Sequence, residues 1–91
     1  MPPHFEIPLS NGGCTLIDAR DFAFVSGKRW RWMKPKTSRS KYAAHYYRRK
    51  GKTRTVLLHR FLLGMTNSKV RVRHDNGDGL DNRRENLKII R

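Results

Sequence analysis

The chain has 91 residues and a mass of 10.7 kDa, the size of one small domain with a thin core. Lys and Arg number 21 against 7 Asp and Glu, for a net charge of +14, and only 36% of residues are hydrophobic. No apolar run is long enough to span a bilayer, no basic region followed by an apolar stretch opens the chain, and a single cysteine, Cys14, rules out an intramolecular disulfide or a multi-cysteine zinc site.

Asn11-Gly12-Gly13 supplies positive φ cheaply between residues 5–10 and 14–18, so these runs are expected to form a hairpin. Asp18, with Asp21 three residues on, reads as the N-cap and acidic first turn of a short helix that Gly27 stops. Phe22 and Val25 share one face of that helix and are expected in the core. Residues 29–33 alternate basic and apolar, the period-two pattern of a half-buried strand. A polar, basic loop over 35–40 leads to a second strand at 42–47, a turn at 49–52 and a third strand at 53–58. These make a small antiparallel sheet. His59-Arg60-Phe61-Leu62-Leu63 before Gly64 reads as a short helix with a glycine stop. Residues 70–74 alternate as a strand, and 75–80 form a Gly/Asn/Asp-rich loop. Residues 82–90 read as a closing helix, with Asn82 and Glu85 as its capping box. The expected class is α+β in a single domain over 1–91: a sheet region with short helices over 1–58, then a finger over 59–91.

Charge is segregated along the chain. No Asp or Glu falls between Phe22 and His74, and that stretch holds 16 of the 21 basic residues. An unbroken positive field concentrates phosphate and releases condensed counterions on binding, so nucleic acid is the expected partner. An anionic membrane would select a basic amphipathic helix or a tight polybasic cluster beside an anchor. Here the basic residues are interleaved with Trp30, Trp32, Tyr42, Tyr46 and Tyr47 in strand-like segments, so no membrane partner is expected. The candidate phosphate contacts are Arg29, Arg31, Lys34, Lys36, Arg39, Lys41, Arg48, Arg49, Lys50, Lys52, Arg54 and Arg60, joined by Arg83 and Arg84. The two tryptophans are expected in the core, whereas Tyr46 and Tyr47 are aromatics on which bases can stack.

The chemistry concentrates in the last twenty or so residues. The run His74-Asp75-Asn76-Gly77-Asp78-Gly79-Leu80-Asp81-Asn82-Arg83-Arg84-Glu85-Asn86-Leu87 resembles the HNH endonuclease motif in the form found in phage and intron homing endonucleases. Ile7-Pro8-Leu9, Leu16-Ile17-Asp18, Trp30, Tyr42-Ala43, Leu58-His59-Arg60 and Leu63-Gly64 are similar to that family's amino-terminal layout, with less specificity. The resemblance implies a ββα (His-Me) finger, hydrolysis of phosphodiester bonds in double-stranded DNA, and a phage-encoded protein in the host cytoplasm. It also implies that the further carboxy-terminal DNA-binding module of many relatives is missing from a chain ending at Arg91. By residue, it assigns His74 as general base, Asn82 as the group that orients it, and Asn86 as a ligand for Mg2+ or Mn2+. The chemistry agrees: a neutral imidazole can take a proton from water near pH 7, and hard oxygen donors suit those cations.

One position departs from the pattern. The family usually carries Asp, or another metal ligand, just before the base histidine, and this chain carries Arg73. A guanidinium has no lone pair to donate and repels a divalent ion. Three outcomes stand open: the metal is lost and the protein is a weak or inactive DNA binder with no cofactor; Asp75 or Asp81 rebuilds the site; or Arg73 itself clamps the scissile phosphate. The alternatives to a nuclease are therefore a non-catalytic DNA-binding module on the same scaffold and a small RNA-binding protein. His59 either contacts DNA, buttresses the site or packs the sheet against the finger. The acidic loop lacks the closing Glu and flanking helices of a calcium-binding loop, and its glycines are read as turn residues. Oligomeric state is left open.

Overall fold

The computed structural model describes residues 3–65, 67 and 69–90. They form a small α+β domain in which strand segments outnumber short helices. β1 (His4–Pro8) and β2 (Cys14–Asp18) make the expected hairpin, paired antiparallel from His4↔Asp18 to Pro8↔Cys14. The positive φ values fall on Gly12 (111°) and Gly13 (73°). Asn11 instead spends its side chain on the next strand: its amide oxygen accepts from the Trp32 N–H at 2.9 Å and its amide nitrogen donates to the Trp32 carbonyl at 2.9 Å.

A 3-10 turn (Ala19–Asp21) runs into α1 (Phe22–Val25), so the predicted helix forms, but in two short pieces. Asp18 is the last residue of β2 and makes no side-chain cap; its carboxylate lies 3.4 Å from Arg20. Val25 is fully buried, as expected, but Phe22 is 43% exposed and packs edge-on against Phe5. A four-residue helix is too short to turn both side chains inward.

β3 (Arg31–Met33), β4 (Tyr42–Arg49) and β5 (Lys52–Leu57) form the predicted antiparallel sheet, in the order β3-β4-β5. Lys50 (φ 51°) and Gly51 (φ 77°) make the two-residue β4–β5 turn, both with the positive φ that matches strand twist. α2 (Leu58–Leu62) follows directly, and Gly64 (φ 65°) stands just beyond its end as predicted. Trp30 is 2% exposed, its indole N–H bonded to the Val25 carbonyl at 2.9 Å, and packs with Ile7, Leu9, Ile17, Val25, Ala43, Leu58, Leu62 and Leu87 as the core. Trp32 is only partly buried and carries the Lys41 ammonium 4.2 Å above its ring.

The C-terminal segment departs most from expectation. β6 (Arg71–His74) is present, but residues 82–90 are not a helix. They are the end of β7 (Asp81–Asn82), a 3-10 turn (Arg84–Asn86) and β8 (Leu87–Ile90). β8 pairs antiparallel with β6 from Arg71↔Ile90 to His74↔Leu87. The apolar, partly β-branched run Leu87-Lys88-Ile89-Ile90 satisfies its backbone groups across that ladder, which outweighs the capping-box signal. Glu85 pairs with Arg83 at 3.0 Å and caps nothing. The expected strand–loop–helix is thus, over the described residues, a strand–loop–strand. Its middle piece is woven into the first sheet: β7 runs parallel to β2, with Leu16↔Asp81 and Ile17↔Asn82. The β2–β7 pairing therefore joins the described residues of 59–91 to the sheet of 1–58.

Candidate active site

A chain of four groups fixes the imidazole of His74. The Leu80 carbonyl accepts from the Thr15 hydroxyl at 2.7 Å. That hydroxyl, its proton committed, accepts from the Asn82 amide nitrogen at 2.8 Å. The amide can therefore point only its oxygen at His74, and Oδ1 lies 2.9 Å from His74 Nε2. An acceptor at Nε2 selects the tautomer protonated there. Nδ1 is left with its lone pair and, among the described residues, with no partner. Thr15 and Asn82 are fully buried and His74 is 8% exposed, so water does not compete for these bonds. The sequence identified His74 and Asn82; Thr15 it did not. The signal available was a hydroxyl at an inward position of β2, in the alternation Thr15, Ile17.

The motif's remaining polar residues build the loop that carries this pair. Asn86 is 6% exposed: its nitrogen donates both protons, to Asn76 Oδ1 and the Asp81 carbonyl at 2.9 Å, and its oxygen accepts one bond, from the Asn76 N–H at 3.0 Å. Asp81 is 2% exposed and accepts from Arg83 at 2.8 Å and 2.7 Å and from Asn76 at 2.9 Å. The Arg83 hydrogen bonds hold its carboxyl below the usual carboxylate range. Asp78 Oδ1 closes an Asx turn on the Leu80 N–H at 2.9 Å. Gly77 has the positive φ (79°) expected of a turn glycine. Gly79 serves close packing instead: its N–H donates to Ser40 Oγ at 2.7 Å, and a Cβ there would collide with the Lys41 carbonyl and stand 2.6 Å from the Tyr42 ring.

Arg73 is not brought to this site. Adjacent strand residues face opposite ways, and while His74 is buried, the Arg73 side chain is 61% exposed and lies 3.6 Å from Asp75. Three candidate phosphate contacts also have structural work. Arg60 donates to the Val70 carbonyl at 2.7 Å and the Asn67 carbonyl at 2.6 Å. Arg84 forks onto buried Asp21 with two bonds of 2.9 Å, and Arg83 holds Asp81. The other eleven, Arg29, Arg31, Lys34, Lys36, Arg39, Lys41, Arg48, Arg49, Lys50, Lys52 and Arg54, are all exposed. Every residue from 46 to 55 is exposed, so the β4–β5 hairpin offers both faces to solvent. By register, Tyr47, Arg49, Lys52 and Arg54 share one face, and Tyr46 and Arg48 the other. Arg31 lies over the Tyr46 ring at 5.7 Å.

Two aromatic neighbours line His74. His59 meets it edge-to-face, with ring centroids 4.8 Å apart at 75°, and Tyr42 lies 5.7 Å from each histidine. Burial first, then the coulombic influence of His74 and Arg60, push the His59 pKa down to about 4.

Of the oxygens near the loop, Asp81 is occupied by Arg83 and Asn76, while the Asn86 oxygen, the ligand that the resemblance assigns, holds one loop N–H. Arg73 is a cation facing away, and exposed Asp75 lies beside it. Among the described residues, no group of three or more His, Cys, Asp and Glu side chains converges on a point. No helix among them is long and apolar enough to cross a membrane. No family model, curated protein or solved structure matches the chain.

Proposed function

We propose that this protein acts on double-stranded DNA, with His74 as the general base for hydrolysis of a phosphodiester bond. The observation that carries this reading is the Leu80–Thr15–Asn82–His74 chain, which spends two buried side chains on the tautomer of one imidazole. A base needs a lone pair and a fixed aim, and this arrangement supplies both. In the reaction, a water gives its proton to Nδ1 as its oxygen bonds to phosphorus; a bridging P–O bond breaks, and the leaving oxygen takes a proton from solvent. The eleven exposed cations supply affinity for the backbone. The His74–Asn82 pair and the Asn/Asp/Gly loop between β6 and β8 support assignment to the HNH class. The described residues after Asn86 form a strand, where the finger's helix was expected.

A second reading has its own support. The commitment of Asn86 and Asp81 to the loop favours a DNA-binding module that kept the scaffold and does no chemistry. Nicking of supercoiled plasmid separates the two, in parallel with Mg2+, Mn2+ and chelator, for the native protein and His74→Ala. Nicking lost on substitution supports the hydrolase. Salt-sensitive duplex binding with no nicking in any arm supports the module. Binding that prefers RNA over DNA in competition contradicts both.

A further inference from the structure

We propose that His59 is a positioning residue for His74: its buried ring holds the neighbouring imidazole so that Nε2 stays on Asn82 and Nδ1 stays unengaged. The proposal rests on the reading of His74 as a base. The χ2 torsion of histidine is broad and twofold, so a half-turn would carry Nε2 off Asn82. One hydrogen bond is a weak hold against that motion. The second hold is the wall of rings: His59 at 4.8 Å and 75°, from the first turn of α2, and Tyr42 at 5.7 Å, from the start of β4.

His59 has no other visible task. It is 6% exposed, its side chain makes no hydrogen bond among the described residues, and its Nδ1 is buried without a partner. A leucine or phenylalanine could fill a packing position without stranding a nitrogen, so an orphaned imidazole against the candidate base calls for a role. Burial keeps this ring uncharged at neutral pH, so it neither competes for the proton His74 is to take nor repels the charge that results. A neutral ring edge-to-face with an imidazolium is a favourable neighbour.

The test is 15N NMR of histidine-labelled protein, reading the His74 tautomer in the native chain, His59→Ala and His59→Phe. Removing the ring should raise the minor tautomer of His74 by about threefold to tenfold, the weight of one aromatic pair. His59→Phe keeps a wall and should keep the native ratio. Where the native protein nicks DNA, His59→Ala should lower kcat only in proportion to the competent tautomer lost, and leave KM unchanged. A folded His59→Ala protein with the native tautomer ratio overturns the proposal. If His59→Ala does not fold, His59→Phe decides: retention of the ratio supports the proposal and its loss overturns it. Because the tautomer is read without DNA, a shift in a protein that never nicks upholds His59's role and removes only the hydrolase reading.

Discussion

Asn82 Oδ1 lies 2.9 Å from His74 Nε2, and the amide cannot turn over without breaking its bond to Thr15. Thr15 therefore governs a histidine it does not touch. Thr15→Val removes the hydroxyl at nearly constant shape and strands the Asn82 amide nitrogen, while the Leu80 carbonyl keeps the Leu16 N–H at 2.8 Å. The expected cost is about 1–3 kcal/mol, read as a lower denaturant midpoint with unchanged slope. Asn82→Leu removes both arms of the bridge and should lower any nicking by roughly 100-fold, the low end of what a well-aimed base contributes. Activity surviving in folded Asn82→Leu would show that His74 needs no such support.

Gly79 is the glycine of the motif loop on which packing depends. Its neighbours include a backbone carbonyl, that of Lys41, which cannot swing aside, so Gly79→Ala must shift the loop off residues 40–42. We expect about 3 kcal/mol of destabilisation, the upper part of the range for overpacking. Gly77→Ala should cost less, through positive φ alone, since nothing lies within 4 Å of its Cβ position. Equal effects in thermal melts would contradict this ordering.

His59 makes stability depend on pH with a definite sign. Unfolded, it titrates near 6.5; folded, burial, His74 and Arg60 bring it to about 4. Between those values unfolding takes up a proton, so this contribution is full above about pH 6.5 and is lost as pH falls toward 4. Its size is on the order of 3 kcal/mol. Urea midpoints across that window should fall more steeply for the native protein than for His59→Phe, which has no proton to take up there. Parallel curves would contradict a neutral, buried His59.

The β4–β5 hairpin should govern the salt dependence of binding. Replacing Arg49, Lys52 and Arg54, which share one face, should reduce the log–log salt slope by up to about 3, near 0.9 per phosphate contact. Thermal stability should hold, because all three side chains are exposed. Replacing Arg84 should do the opposite: it weakens the fold by leaving the buried Asp21 carboxylate without its partner, and leaves the slope nearly unchanged. An unaltered slope in the triple variant would place the phosphate contacts elsewhere.

Much of the fold was legible locally. Asn11-Gly12-Gly13, Gly64 and the alternation of 70–74 each fixed an element whose physics is short-range. Residues 82–90 were not legible, because Asn82, Glu85 and the charged turn carry a helix-start pattern while Leu87, Ile89 and Ile90 are claimed by pairing with β6. Tertiary contact decided against local propensity there. For the site, the family resemblance pointed to His74 and Asn82, which lie side by side, but Asn86, Arg83 and Arg84 hold the loop and its neighbours. A motif resemblance says which residues come together and not which hydrogen bonds they have left. Thr15, Ser40 and Asp21 lie 67, 39 and 63 residues from the partners they serve, beyond any sequence pattern.

The most direct measurement is the protonation of the two His74 ring nitrogens by 15N NMR, at a pH where the ring is neutral. A proton on Nε2 and a bare Nδ1, with the Nε2–H signal lost or averaged in Asn82→Leu, is the predicted result. A proton on Nδ1, or an even mixture of tautomers in the native protein, would contradict the assignment of His74 as a base aimed by Asn82.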